Sequence, residues 1–309
     1  MIYLLIVLGF LILLGGGKAL VDGASAIAVK LGMSPGLIGM TIVAFGTSAP
    51  ELLVSVTAAL KGTSDIAIGN VIGSNISNIT LVLGISALIY PIRLNLKILK
   101  FDYSFTLLAT LLFYILALNH VISFIDGIIL FATLILINWY YFTKADEVPD
   151  EFTTEEAEEA KREPIIKSIL YILVGMVGLY FGAELLVNNA VTLAQEYGVS
   201  ERIIGVTIIA IGTSLPELAT SVIAARKKET DIALGNILGS NMQNILSIIG
   251  VTAMIKPIEV SDLFLSSDFL WMIGFTVLLF PIMRTGFKIS RSEGGLLLAV
   301  YIIYLIFLL

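Results

Sequence analysis

Apolar residues fill this chain in runs too long for the core of a water-soluble domain, and polar positions fall between them in short clusters. At 1.5 Å per helical residue, about 20 apolar residues cross the ~30 Å hydrocarbon layer of a bilayer. Ten segments meet that length, running roughly over 2–29, 36–60, 65–90, 101–118, 121–143, 165–194, 202–225, 231–255, 267–283 and 293–309. None alternates with the period of two that barrel strands require, so the expected class is an all-α integral membrane protein of ten transmembrane helices. The opening Met1-Ile2-Tyr3-Leu4-Leu5 has no basic region before it and is expected to stay as a span.

Composition agrees with the pattern. Hydrophobic residues make up 58% and charged residues 14%, and mean hydropathy is +0.99, whereas soluble domains carry about a quarter charged residues. Cysteine is absent, which excludes disulfides, thiolate metal sites and cysteine nucleophiles. The net charge of −6 comes mostly from Asp146 to Glu163, where nine residues are acidic. That stretch divides the chain into a first five-helix half (1–143), an acidic cytoplasmic linker (144–164) and a second five-helix half (165–309). The linker reads either as a solvated connection or as a regulatory cation-binding loop.

Basic residues set the expected orientation. With ten spans both termini share a face, and the opposite face receives Lys30, Arg93, Lys97, Lys100, Lys144, Lys161, Arg162, Lys167, Arg226, Lys227, Lys228, Arg284, Lys288 and Arg291. The face with the termini receives Lys61, Arg202 and Lys256. Fourteen against three predicts extracellular termini and a cytoplasmic linker in a cell membrane.

The halves also repeat each other. Gly46-Thr47-Ser48-Ala49-Pro50-Glu51 returns 166 residues later as Gly212-Thr213-Ser214-Leu215-Pro216-Glu217. Gly69-Asn70-Val71-Ile72-Gly73-Ser74-Asn75-Ile76-Ser77-Asn78 returns at the same offset as Gly235 to Asn244, and 30 of 54 positions are identical between 38–91 and 204–257. Five spans is an odd number, so the second half enters the membrane from the opposite side. The expected architecture is an inverted-topology repeat with a site near the midplane.

What repeats is chemistry that is expensive in lipid. Glu51 and Glu217 lie within spans, where a carboxylate facing hydrocarbon costs at least a few kcal/mol, about 2.5–3.5 on insertion scales. Pro50 and Pro216 cannot donate to the carbonyls of Gly46 and Gly212, so each helix is expected to break there. The carbonyls of Ala44 and Ala210 are candidates to face the break. Ser74 and Asn78, like Ser240 and Asn244, stand four residues apart and share a helix face. With Thr47, Ser48, Thr213 and Ser214 they make a set of hard oxygen donors. Such a set suits calcium, which takes 6–8 oxygens in adaptable geometry, better than zinc or iron. The lone His120 is expected at the surface. Asn70, Asn75, Asn236 and Asn241 read equally as helix-packing groups. Lys18 and Glu184, again 166 apart, either pair across the symmetry axis or reach to opposite surfaces. Asp65 and Asp231 sit at helix starts, where the dipole favours them. Two glutamates balance one calcium or two sodium ions, so competition for an alternately exposed site would make an antiporter.

The doubled G-T-S-x-P-E and G-N-x-x-G-S-N-x-x-N segments resemble the α-1 and α-2 repeats of the sodium/calcium exchanger family. The resemblance covers nearly the whole chain apart from the acidic loop. It implies coordination of calcium and sodium by Glu51, Glu217, Thr47, Thr213, Ser48, Ser214, Ser74, Ser240, Asn78 and Asn244, with carbonyls of Ala44 and Ala210. It further implies exchange of three sodium ions for one calcium, and sliding of the long first and sixth helices. Potassium-dependent members carry Asp where this chain has Asn244, so potassium independence is expected. The proton-coupled branch places its glutamate in a different motif, which favours sodium here; a calcium/proton exchanger on the same fold is the alternative. The expected partners are the two ions and the lipid bilayer, with no cofactor, no nucleic acid, no enzymatic activity, and function as a monomer.

Overall fold

A computed structural model describes residues 2–94, 96–143, 164–198 and 210–308. Nearly all of the linker, 144–163, and the start of the predicted seventh span, 202–209, lie outside the described residues.

The helices are α1 (Ile2–Leu31), α2 (Pro35–Thr47), α3 (Ala49–Leu60), α4 (Ser64–Ile89), α5 (Ile98–Ala117), α6 (Phe124–Thr143), α7 (Ile165–Glu196), α8 (Ala210–Thr213), α9 (Leu215–Arg226), α10 (Thr230–Ile255), α11 (Phe264–Arg284) and α12 (Arg291–Leu308). Among the described residues eight are long and apolar enough to cross a bilayer, and α2 with α3 forms a ninth, bent by 46°. Of the predicted seventh span, α8 and α9 are described.

Two helices occupy the centre. The most apolar stretches of α4 and α10 are 72% and 89% buried, against 22–39% for the other long helices, so the repeat-bearing helices are wrapped by the rest. On the periphery, Leu4, Leu11, Ile169, Leu173 and Phe181 expose apolar surface, as lipid contact demands.

Four two-residue strands reveal the symmetry. They are β1 (Ile92–Arg93), β2 (Val121–Ile122), β3 (Ile258–Glu259) and β4 (Lys288–Ile289). β1 pairs antiparallel with β4, and β2 with β3. Between β1 and β2 the chain runs through α5, about 30 Å of helix, so those strands lie at opposite ends of the bundle. β3 joins β2 at its end, yet β3 is the repeat counterpart of β1. Equivalent elements therefore sit at opposite ends, as an inverted repeat requires.

The longest contact joins α1 to α7. Gly9, Leu13, Gly16, Leu20 and Gly23 form one stripe, and Ser168, Ile172, Gly175, Leu179 and Gly182 form the other, each with the 3–4 spacing of a packed helix seam. The glycines let the backbones approach closely. A Cβ on Gly16 would stand 2.6 Å from the nitrogen of Leu179, and one on Gly175 would stand 2.5 Å from the nitrogen of Leu20. Toward the α9–α10 turn, Lys18 pairs with Asp22 at 2.6 Å, and Asp22 also pairs with Lys227. Of the two readings of Lys18, a partner one turn away on its own helix replaces pairing with Glu184, which is exposed.

His120 lies in the α5–α6 turn at φ 67°, with Nδ1 3.6 Å from Asp262, so it is a surface group. Asp65 and Asp231 fall in the first turns of α4 and α10, where the helix dipole favours a negative charge.

Candidate functional site

The site forms where two helices break. Ser48 separates α2 from α3 with φ −87° and ψ 4°, and Ser214 separates α8 from α9 with φ −87° and ψ 5°. Pro50 and Pro216 follow two residues later as the second residues of α3 and α9, positions that need no intrahelical donor. Glu51 and Glu217 therefore stand in first turns, where backbone N–H groups point toward an acid. Gly46 and Gly212 serve close packing as well: a Cβ there would strike Met176 at 2.5 Å and Val187 at 2.6 Å, both on α7.

Both carboxylates are fully buried. The hydroxyl of Ser48, from the first half, donates to Oε1 of Glu217, from the second, at 3.0 Å. Thr47 donates to Oδ1 of Asn236 at 3.1 Å, and its hydroxyl is 3.2 Å from that of Ser240 and 3.2 Å from the Ala44 carbonyl. The Ala44 carbonyl also accepts the N–H of Ser48 at 3.0 Å. In the other half the N–H of Ser214 bonds to Ile211 at 3.1 Å, leaving Ala210 at the first position of α8. Thr213 stands half-buried at the end of α8.

From the central helices, Ser74, Asn78, Ser240 and Asn244 are all buried. Asn78 begins a π-helical stretch in α4 (Asn78–Val82), and Asn244 lies in one in α10 (Gln243–Ile249). A π turn widens the helix and redirects side chains, a frequent feature of functional sites. Asn78 donates to Oδ1 of Asn241 at 3.1 Å, and Asn241 donates to the carbonyl of Asn75 at 3.3 Å, which joins the two halves.

Several predicted ligands keep buried oxygen atoms that accept nothing from the described residues. These are both oxygens of Glu51, Oε2 of Glu217, Oγ of Ser74, Oδ1 of Asn78 and Oδ1 of Asn244. Buried polar atoms left unpaired cost about 1–3 kcal/mol each, so a cluster of them fits a ligand that can satisfy all at once. Two acids among hydroxyls and amides, all oxygen donors, fit a hard cation as cargo.

The asparagines that read as packing groups have a defined task. Asn70 donates to the Glu51 carbonyl at 3.2 Å and to Ser55 at 3.0 Å; Asn236 donates to the Glu217 carbonyl at 3.4 Å and to Ser221 at 2.9 Å. Each one locks a glutamate-bearing helix to its central helix. Ser77 escaped sequence reasoning, yet its hydroxyl is 2.6 Å from that of Ser214. Asp102 and Asp268, 166 residues apart and both largely buried, were also missed; Tyr141 donates to Asp102 at 2.8 Å, away from the central cluster. Their shared offset was the available signal.

The family model described as sodium/calcium exchanger protein matches residues 1–143 and 167–309. The chain belongs to the sodium/calcium exchanger family. CaxA of Alkalimonas amylolytica is 40% identical over 309 residues, spanning 97% of this chain and 96% of CaxA. Sodium/calcium exchanger MaX1 of Methanosarcina acetivorans is 31% identical over 342 residues, spanning 99% and 98%. The Ca(2+)/H(+) antiporter ChaA of Bacillus subtilis is 24% identical over 91% of this chain and 85% of its own length. Among solved structures, the sodium-calcium exchanger NCX_Mj soaked with zero Na+ and Ca2+ superposes with a TM-score of 0.85 at 31% identity, over the whole of both chains. This exchanger is thus a multi-pass membrane antiporter of the sodium/calcium exchange type.

Proposed function

We propose that this exchanger carries three sodium ions against one calcium ion by alternating access, with Glu51, Glu217, Thr47, Thr213, Ser48, Ser214, Ser74, Ser240, Asn78, Asn244 and the carbonyls of Ala44 and Ala210 as the ion ligands. The observation that carries the reading is a pair of fully buried glutamates, one from each repeat, among unpaired oxygen atoms, with Ser48 beside the first donating to the second. The acids supply charge, and the hydroxyls, amides and carbonyls replace hydration. Ions shift the equilibrium between two packings only through their different affinities for each. Three sodium ions against one calcium move one net charge per cycle, coupled to voltage at about 2.3 kcal/mol per 100 mV.

Ten spans as two inverted five-helix halves, 1–143 and 165–309, are supported by the strand pairing that puts repeat-equivalent elements at opposite ends. Extracellular termini, a cytoplasmic linker and a cell-membrane location follow from the basic-residue bias. The chain works as a monomer, because the site is assembled within one copy. Asn244, an amide at a position where acid would add charge, favours potassium independence.

Calcium flux into proteoliposomes, with internal sodium, potassium or protons varied and voltage clamped by ionophore, tests this reading. Sodium-driven, voltage-sensitive uptake is expected. Uptake driven by a proton gradient without sodium would instead support calcium/proton exchange, a reading favoured by the similarity to ChaA. Potassium stimulation would contradict the assignment of Asn244.

A further inference from the structure

The two flanks of the glutamate pocket are related by the repeat but are not alike. Ser48 corresponds to Ser214, Gln243 to Ser77, and Ser247 to Leu81. On one flank the hydroxyls of Ser77 and Ser214 meet at 2.6 Å. On the other, Ser48 and Gln243 line a small cavity together with Phe45, Leu52 and Ser247. Gln243 is 7% exposed, and its Oε1 has no hydrogen-bond partner among the described residues.

The cavity has a direction. Leu52 and Ser247 lie one helical turn beyond Ser48 and Gln243, along α3 and α10, which both run to the end where Gly62 approaches the Lys256 ammonium. It therefore sits beside Ser48 and reaches one turn toward that end of the bundle, with room for about one water.

We propose that Gln243 is a specificity-determining ligand at this mouth, where its amide oxygen, with the hydroxyls of Ser48 and Ser247, holds a partly dehydrated calcium or sodium ion beside the glutamates. The inference rests on the cation-exchange reading above and adds a neutral subsite to it. A neutral oxygen replaces part of the hydration shell without the deep well that another carboxylate would create, the balance that passage requires. Serine at the counterpart position is too short for this task and hydrogen-bonds directly with Ser214. The two mouths of the pocket are thereby chemically different, although the ligands at its centre repeat.

The test uses the full-length protein in proteoliposomes, with sodium-driven uptake of radioactive calcium measured for wild type, Gln243→Leu and Gln243→Glu. Removing the oxygen should raise the calcium KM at least about fivefold, a cost near 1 kcal/mol. The isosteric Gln243→Glu adds charge and should lower the calcium KM below wild type and shift selectivity at least about threefold from sodium to calcium. A group that only packs would give neither the lower KM nor the selectivity shift. KM values within twofold of wild type for both variants, or losses confined to maximal rate, would overturn the proposal. If Gln243→Leu does not fold, Gln243→Glu decides alone. Wild type without sodium-driven uptake would overturn the exchange reading and this inference with it.

Discussion

The hydroxyl of Ser48 donates to the carboxylate of Glu217 at 3.0 Å, so the helix break of one repeat holds the acid of the other. The buried hydrogen-bonded cluster draws on both halves. Thr47 reaches Asn236 and Ser240 across the same boundary, and Asn78 reaches Asn241.

Glu51→Gln or Glu217→Gln removes one of the two charges proposed to hold the cargo. Losing one member of a buried charge pairing costs about 3–5 kcal/mol. Sodium-driven calcium uptake should fall roughly 100-fold or more, measured as radioactive calcium flux into vesicles. Wild-type uptake by either variant would remove the two-glutamate site from consideration.

Ser48→Ala deletes a hydrogen bond to an acid, an interaction of about 1.5–3 kcal/mol. The expected result is a calcium KM raised about tenfold or more with the fold intact. Thermal melting by size-exclusion fluorescence, run beside flux, separates this from a stability defect.

Asn236→Ala leaves the Ser221 hydroxyl and the Glu217 carbonyl without their side-chain donor and removes one of the three partners within reach of the Thr47 hydroxyl. A stability loss of about 1–3 kcal/mol is expected. Asn70→Ala, with partners at Glu51 and Ser55 and a half-buried position, should lose less. Equal melting temperatures for the two variants would contradict this ranking.

Gly16→Val and Gly175→Val drive side-chain atoms into the α1–α7 seam, where even a Cβ would stand 2.6 and 2.5 Å from backbone nitrogens. Overpacking of this kind costs about 1–3 kcal/mol at each position. Lower melting temperatures and reduced exchange should follow. Gly15→Ala is the control, because its Cβ would meet nothing within 4 Å. A control that destabilises as much as Gly16→Val would show that helix backbone effects, and not the seam, are responsible.

Much of this protein was legible before folding. Apolar run length marked the spans, because lipid leaves helices few alternatives. The doubled Pro-Glu motif located the breaks at Ser48 and Ser214, because proline removes a donor whatever surrounds it. Less legible were groups whose meaning depends on what stands opposite. Asn70 and Asn236 read equally as ligands or as packing groups, and the structure places them against the carbonyls of Glu51 and Glu217. Ser77 gave no signal, because its repeat counterpart is Gln243 and the pairing with Ser214 spans 137 residues. Asp102 drew no reading from the sequence and is buried against Tyr141, 39 residues away.

Residue order by itself determined membrane residence, the twofold repeat, the helix breaks and the kind of chemistry carried, since each depends on local composition, spacing or backbone constraint. Tertiary structure alone decided which oxygens face one another, that Ser77 meets Ser214, and how near α1 lies to α7. Those are distances between residues far apart in the chain, set by how whole helices pack, and no local pattern encodes them.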